Sequence, residues 1–270
     1  MRETWLTNGS VRLFAVEDGE GPALVFLHGG LANHQAVLPL VQPLTDRYRV
    51  ITPDLRGSGR SWSSEPMTFD RLADDILQLL DHLAVENAFI GGVSSGSGTA
   101  VHFVLRHPER VHGLVVVKPV YAGSDIGYTR GQAAAFAAMD SVASRASVEG
   151  IDVLRQLFAR LPDGIRQRAW QIASRFDAGS VVATSRFIAS GAQPFSSSRE
   201  LQSIRVPTLL VRGDDAQHPA EVSDVYAASI TDCTVVPPTG VDTVRTIRDF
   251  CDAGLTALGS TRRKARGGRR

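Results

Sequence analysis

The chain lacks the residues and segments on which several classes of protein depend. Its 270 residues include only two cysteines, Cys233 and Cys251, which are too few for a disulfide framework and lack the Cys-x-x-Cys spacing of a zinc site. No apolar run approaches the ~18 residues of a membrane span, and the sequence beginning at Met1 is polar and unlike a signal peptide. The sequence therefore predicts a cytoplasmic protein with no membrane segment and no metal site.

Acidic residues are missing from the end of the chain. Residues 259–270 contain six basic residues and no acid, although the net charge of the whole chain is only +1. A Gly- and Arg-rich segment of this kind predicts a disordered basic tail. Such a tail could bind nucleic acid or acidic surfaces non-specifically, but a solvated extension is the simpler interpretation. We expect no specific nucleic-acid partner.

Apolar runs alternate with helical patterns through most of the chain. The runs at 23–27, 88–93, 114–117 and 206–211 have the length and composition of buried strands, whereas residues 69–83 place apolar side chains at helical spacing. Continuously apolar strands separated by helices are typical of a parallel sheet with both faces covered. The sequence predicts an α/β fold with a doubly wound, mostly parallel sheet.

One part of the chain departs from this alternation. Helical stretches follow one another between residues 124 and 203, and strand-like runs become rare. We interpret 124–203 as a helical cap inserted into a single core, whose two parts are residues 1–123 and 204–258. The tail at 259–270 completes the predicted organisation.

The most informative motif is Gly92-x-Ser94-x-Gly96, which follows an apolar run and precedes a helical stretch. Small residues on both sides of a serine allow a sharp strand-to-helix turn that exposes the hydroxyl. Ser94 is therefore the candidate nucleophile, and the amide of Ser95 is a candidate donor to an oxyanion. A serine with only a structural role in a glycine-rich turn is the alternative. The glycine spacing fits neither a dinucleotide fingerprint nor a phosphate loop, so we expect no cofactor.

Several motifs occur together in a characteristic order. They are His28-Gly29-Gly30 after an early strand, Asp54-x-Arg56-Gly57-x-Gly59-x-Ser61, Gly92-x-Ser94-x-Gly96, Pro207-Thr208-Leu209 before Gly213, and an acid just beyond it. On these residues the chain resembles the α/β-hydrolase family over nearly all its length except the basic tail. The resemblance implies serine-hydrolase chemistry, a helical cap, and an oxyanion hole formed by the amides of Gly30 and Ser95.

The acid and the base depart from the pattern of that family. The resemblance places the acid at Ala216, so that Asp215 stands one position early and Asp214 two. We expect Asp215 to serve after a small loop adjustment, and a solvated turn residue is the alternative. The base of the family normally follows the last strand, but this chain has no histidine after His218, and Val241 occupies the expected position.

His218 leaves two interpretations open. It follows Asp215 by three residues on a loop that, in this family, opens at the same rim as Ser94, so a displaced Asp215–His218 pair is conceivable. We narrowly favour a missing base, because a histidine on the loop of the acid is expected not to reach Ser94. Among the other histidines, the resemblance implies that His28 is buried behind the oxyanion hole. We expect His34 to be exposed on a loop, and a position facing the pocket is the alternative.

Three classes of function are compatible with these residues. The first is a serine hydrolase or acyl transferase with an atypical or missing base. We favour this class because the chain has both the serine turn at Ser94 and the oxyanion loop, His28-Gly29-Gly30. It would act on a small, apolar ester, lactone, thioester or amide. The second is a lyase, cyclase or isomerase that uses the same pocket. The third is a ligand-binding protein, because some hydrolase-fold hormone receptors have an apolar residue in place of the base. In each case the partner is a small molecule.

Overall fold

A central sheet organises the protein. The computed structural model describes residues 1–9, 11–63 and 65–267, and in these residues the sheet has nine strands. The strands are β1 (Arg2–Asn8), β2 (Val11–Asp18), β3 (Ala23–Leu27), β4 (Arg49–Pro53), β5 (Trp62–Ser63), β6 (Ala88–Val93), β7 (Val111–Val117), β8 (Thr208–Val211) and β9 (Cys233–Val236). Their order across the sheet is β1-β2-β4-β3-β6-β7-β8-β9, with β5 paired to β2.

Most strand pairs are parallel. The pairs from β4 through β3, β6, β7 and β8 to β9 are all parallel, whereas β2 is antiparallel to each of its partners β1, β4 and β5. The α/β fold predicted from the sequence is therefore confirmed. Strand β1 was not predicted, because its side chains are half-buried or exposed and carry no continuous apolar pattern.

Helices cover both faces of the sheet. They are α1 (Leu38–Val41), α2 (Phe69–His82), α3 (Ser95–Arg106), α4 (Arg130–Ala143), α5 (Ala146–Glu149), α6 (Arg155–Phe158), α7 (Asp163–Ala173), α8 (Ala178–Ala189), α9 (Ala220–Ser229) and α10 (Thr243–Gly267). Within the described ranges, none of these helices has the length and apolar character needed to cross a membrane.

Alternate residues of each central strand enter two different cores. In β3, Val25 and Leu27 pack with α2, α3 and α9 on one face, whereas Leu24 and Phe26 pack with α1 and α10 on the other. This separation follows from the strand geometry, since successive side chains point to opposite faces of a sheet. Because both faces of the central strands are buried, these strands require continuous apolar runs in the sequence.

The chain between β7 and β8 is helical. Residues 124–203, all of which are described, contain α4 to α8 and short 3-10 turns but no strand. These helices have a small core of their own that includes Leu154 and Val181, while Phe136 and Ile188 join the core of the main sheet. Their division from the main core as a separate cap stays a prediction.

The last helix departs from the predicted boundary. Helix α10 covers Thr243–Gly267 and therefore continues past Gly259, the predicted start of the disordered tail. Buried Ile247 and Cys251 hold the first part of α10 on the core. Once a helix is nucleated, residues such as Arg, Lys and Ala extend it at little cost. Residues 268–270 of the predicted tail lie outside the described residues.

Candidate active site

Ser94 is the single residue that connects β6 to α3. Its backbone has φ of +56° and ψ of −124°, a conformation that residues other than glycine rarely adopt and that costs about 1 to 3 kcal/mol. Two hydrogen bonds hold this turn in place. The amide of Ser94 donates to the carbonyl of Val117 at 2.9 Å, and the amide of Ser97 donates to the carbonyl of Ser94 at 2.9 Å.

The two glycines of the serine motif are required by close backbone contacts. A Cβ atom on Gly92 would lie 2.4 Å from the carbonyl oxygen of Gly96, and one on Gly96 would lie 2.3 Å from the carbonyl oxygen of His28. These positions are occupied by backbone, which cannot move aside as the end of a flexible side chain can. The motif therefore brings β6, α3 and the loop after β3 into direct contact around Ser94.

His218 reaches Ser94. Its Nε2 atom lies 2.9 Å from Ser94 Oγ, and its Nδ1 atom lies 2.8 Å from Asp215 Oδ1. Both contacts are satisfied by the neutral tautomer in which Nδ1–H donates to the carboxylate and Nε2 accepts from the serine hydroxyl. The sequence-based preference for a histidine that does not reach Ser94 is therefore wrong, and the displaced Asp215–His218 pair is the arrangement observed.

The path of the loop after β8 explains why His218 lies next to Ser94. Asp215 Oδ1 also accepts hydrogen bonds from the backbone amides of Gln217 and His218, each at 3.0 Å, so the loop forms a tight turn. A Cβ atom on Gly213 would lie only 2.1 Å from the carbonyl oxygen of His218, so glycine allows the turn to fold back on the strand end. The hydrogen bond from His218 holds the pKa of Asp215 well below its ordinary value.

The loop after β3 packs against the serine turn. A Cβ atom on Gly29 would lie 3.2 Å from Ser94 Cβ, and one on Gly30 would lie 3.5 Å from Ser95 Oγ. Ser95 is the first residue of α3, and amides in the first turn of a helix have no acceptor within the helix. The predicted donor Ser95 thus lies at the positive end of the α3 dipole, where a negatively charged oxygen is favoured, and the predicted donor Gly30 lies beside it.

Residues 22–240 match the family described as having the alpha/beta hydrolase fold. The chain belongs to the α/β-hydrolase family. It is 36% identical over 105 residues to AB hydrolase superfamily protein YisY of Bacillus subtilis, and 36% identical over 95 residues to 3-oxoadipate enol-lactonase 1 of Acinetobacter baylyi. These matches cover 37% and 35% of this chain and only 38% and 36% of the two relatives.

Structural similarity to the family extends over nearly the whole chain. A crystal structure of a hydrolase from Pseudomonas aeruginosa PA01 has a TM-score of 0.72, with 95% of this chain and 98% of that chain covered. The sequence identity between the two is 24%, so the likeness shows the fold alone. Membership of the α/β-hydrolase family, expected from the sequence motifs, is confirmed by the family match over residues 22–240.

Two further histidines, His28 and His34, are buried in the chain that follows β3. His28 is buried, with Nδ1 at 2.7 Å from the carbonyl of Gly29 and Nε2 accepting from the amide of Leu55 at 3.0 Å. Burial lowers the pKa of His28, so the ring is neutral in this role. The expectation that His34 is exposed is wrong: it is buried, because its Nδ1 atom lies 2.7 Å from Oδ1 of buried Asp54.

Lys118 was missed by the sequence analysis. It is the first residue after β7, and its Nζ atom lies 2.9 Å from Asp214 Oδ1 and 3.6 Å from Asp215 Oδ2. The sequence indicates Lys118 only by its position directly after a predicted strand. Residues that follow neighbouring parallel strands meet at the same edge of a sheet, and β7 is paired with β8. Asp214, the weaker candidate for the acid, therefore pairs with this lysine.

A small cavity of about 20 Å³ adjoins the loop after β3. Its lining comprises His28, Gly29, Gly30, Leu55, Ser58, Met67, Leu72, Ser95, Thr99, Thr184, Phe187 and Ile188. Phe187 and Ile188 come from α8 and cover the cavity from the side of the inserted helices. Across the described residues, no group of three or more His, Cys, Asp or Glu side chains is placed to hold a metal ion.

Proposed function

We propose that this protein is a serine hydrolase that cleaves a small, apolar ester, lactone, thioester or amide. Ser94 is the nucleophile, His218 the general base and Asp215 the acid. The observation that carries the proposal is the continuous chain of hydrogen bonds from Ser94 Oγ through His218 to Asp215, at 2.9 and 2.8 Å. A serine, a histidine and a carboxylate in this relation form the arrangement that activates a serine hydroxyl at neutral pH.

In the first step, Ser94 Oγ attacks the carbonyl carbon of the substrate. A bond forms between Oγ and that carbon, the carbonyl electron pair moves to oxygen, and His218 Nε2 takes the hydroxyl proton. Asp215 stays ionised, because the pKa of its carboxyl is lowered by the hydrogen bond from His218. Its negative charge stabilises the imidazolium that forms and fixes the tautomer that leaves Nε2 free to accept the proton.

In the second step, the tetrahedral intermediate collapses. The bond to the leaving group breaks as His218 returns the proton to it, which gives a neutral alcohol, thiol or amine and an acyl group on Ser94. In deacylation, His218 takes a proton from water as the water oxygen bonds to the acyl carbon. The bond between that carbon and Ser94 Oγ then breaks, and His218 returns the proton to Oγ, which releases the carboxylic acid and restores the serine. The amides of Gly30 and Ser95 bind the negative oxygen in both halves, and such a donor typically contributes on the order of 10² to 10³ in rate.

The lining of the cavity supports an apolar acyl group. Leu55, Met67, Leu72, Phe187 and Ile188 supply apolar surface beside the oxyanion loop. One relative is named an enol-lactonase, an enzyme of cyclic esters. This name supports the inclusion of cyclic esters, beside open-chain esters, in the proposed substrate class.

The hydrogen-bonded base also bears on the alternative functions. A ligand-binding protein on this fold has no need for a base in contact with the serine, and the proposal for that class rested on Val241 occupying the base position. With His218 bonded to Ser94, this reason no longer applies. A lyase, cyclase or isomerase would use the same side chains without forming an acyl group on Ser94.

Labelling with a fluorophosphonate probe tests the proposal, because the probe forms a stable bond only to an activated serine. The wild-type protein should be labelled at Ser94 and should hydrolyse p-nitrophenyl acetate or butyrate, and Ser94→Ala should lose both properties. Ser147→Ala removes an exposed hydroxyl of α5 and is the matched control that should retain both. Absence of label from the wild-type protein, under conditions that label another serine hydrolase, would contradict the proposal.

A further inference from the structure

Gln132 is a fully buried polar side chain in the first turn of α4. Its Nε2 atom donates to the carbonyl of Val120 at 2.7 Å and to the carbonyl of Gln217 at 3.0 Å. Its Oε1 atom accepts from the amide of Thr129 at 3.1 Å. The two N–H groups and the oxygen of this amide are therefore all used.

These contacts fix the orientation of the amide. Rotation by 180° would place Oε1 against two carbonyl oxygens and Nε2 against a backbone N–H, so every contact would become repulsive. Gln132 can therefore act only as a donor toward Val120 and Gln217. Through these bonds, one buried side chain joins helix α4 to the chain after β7 and to the loop after β8.

The carbonyl of Gln217 belongs to the peptide bond that leads into His218. This loop makes its turn through Asp215, whose side chain is 47% exposed, and residues 214–216 face solvent. The bonds within the turn fix His218 relative to Asp215 but do not fix the turn relative to Ser94. A donor anchored in a neighbouring helix supplies a restraint of that second kind.

We propose that Gln132 is a positioning residue for the base. By holding the Gln217 carbonyl, it keeps His218 Nε2 within hydrogen-bond reach of Ser94 Oγ, so the base depends on the first turn of α4. The inference rests on the proposed function of His218 as the base. A displacement of about 1 Å in a catalytic group can lower a rate by as much as 10²-fold.

The test compares two variants that both alter α4. Gln132→Met keeps the length of the side chain and a high helix propensity but removes both donors. Ser185→Ala removes a 2.7 Å hydrogen bond from Ser185 Oγ of α8 to Asp140 Oδ1 of α4 and does not touch the loop. With p-nitrophenyl butyrate, Gln132→Met should lower kcat by about 10- to 100-fold with KM changed less than twofold. Ser185→Ala should leave kcat within about twofold.

Crystal structures of the wild-type protein and Gln132→Met measure the proposed displacement directly. The distance from His218 Nε2 to Ser94 Oγ should exceed about 3.5 Å in the variant, beyond hydrogen-bond reach. If Gln132→Met does not fold, Gln132→Asn, which keeps an amide but withdraws it by one methylene, takes its place in both measurements.

The outcomes separate this inference from the proposed function. If the wild-type protein neither turns over esters nor takes up the fluorophosphonate probe, the proposed function fails, and the distance in the two crystal structures still decides the positioning role. An unchanged distance in the variant would overturn the inference, whatever the rate. Equal losses of kcat in Gln132→Met and Ser185→Ala would also overturn it, because the effect would then come from general loosening of α4.

Discussion

Replacing His218 with alanine should lower kcat/KM for an accepted ester by about 10² to 10⁴-fold. This is the usual contribution of a positioned general base, and at about 1.36 kcal/mol per tenfold change it corresponds to roughly 2.7 to 5.5 kcal/mol of transition-state stabilisation. His218 Nε2 already lies 2.9 Å from Ser94 Oγ, so no rearrangement is needed before proton transfer. The hydrogen bond to Asp215 adds orientation, which places the expected loss toward the upper end of the range.

The loss should reflect catalysis and not unfolding. Asp215 Oδ1 accepts from the backbone amides of Gln217 and His218, and both bonds are available when residue 218 is alanine. We expect the melting temperature of His218→Ala to stay within about 3 °C of the wild-type value, which for a chain of this size corresponds to roughly 1 kcal/mol. His82→Ala is the matched control, because His82 is exposed at the end of α2.

Initial rates with p-nitrophenyl butyrate and labelling rates with a fluorophosphonate should fall together in His218→Ala. Val241→His, which restores a histidine at the family position, should add little activity to the wild-type protein because a base is already bonded to Ser94. The reasoning would be refuted if His218→Ala retained the wild-type rate within about threefold. A large gain from Val241→His would refute it as well, because it would mean that the natural protein lacks a working base.

Two further predictions concern charges near the site. Lys118→Met removes the cation that lies 3.6 Å from Asp215 Oδ2 and should lower kcat about two- to fivefold, since a partly exposed ion pair contributes about 0 to 1 kcal/mol. Lys118→Arg keeps the charge and should retain most of the rate. A 100-fold loss of kcat in Lys118→Met would contradict this estimate. Burial lowers the pKa of His28, so the unfolded state binds a proton more readily than the folded state does. The free energy of unfolding should therefore fall as pH decreases below about 6.5, by at most about 1.4 kcal/mol per pH unit. Urea denaturation at pH 7.5 and 5.5 measures this fall, and it should be smaller in His28→Gln; an equal fall in that variant would exclude His28 as its cause.

The fold could be predicted because it is specified by local patterns. Each central strand is a short apolar run that ends at a recognisable turn, and the glycines around Ser94 are required by backbone contacts within a few residues of the serine or of the oxyanion loop. Periodicity and motif spacing carry this information directly. The same sources could not place β1, whose pairing with β2 depends on register along the edge of the sheet and not on apolar patterning.

The position of His218, the proposed base, could not be predicted, because it depends on the path of a loop. The preference for a missing base rested on the usual position of the base after the last strand and on the expectation that a histidine on the loop of the acid does not reach Ser94. The actual turn depends on close packing of Gly213 on the His218 carbonyl and on three hydrogen bonds to Asp215 Oδ1. His34 was misplaced for a related reason, because its burial follows from pairing with Asp54, twenty residues away.

The proposed acid and base lie on one turn, and this reduces what the rest of the fold must specify. Asp215 and His218 fix their mutual geometry locally, so only the relation of this turn to Ser94 is left to the tertiary structure. The sheet supplies most of that relation: Val93, Val117 and Val211 are in register across β6, β7 and β8. Neighbouring strands lie about 4.8 Å apart, so the ends of β6 and β8 are separated by roughly 10 Å. A turn that folds back from β8 and projects an imidazole can span this distance. With His218 as the proposed base, the loop that contains Val241 does not need to provide a histidine.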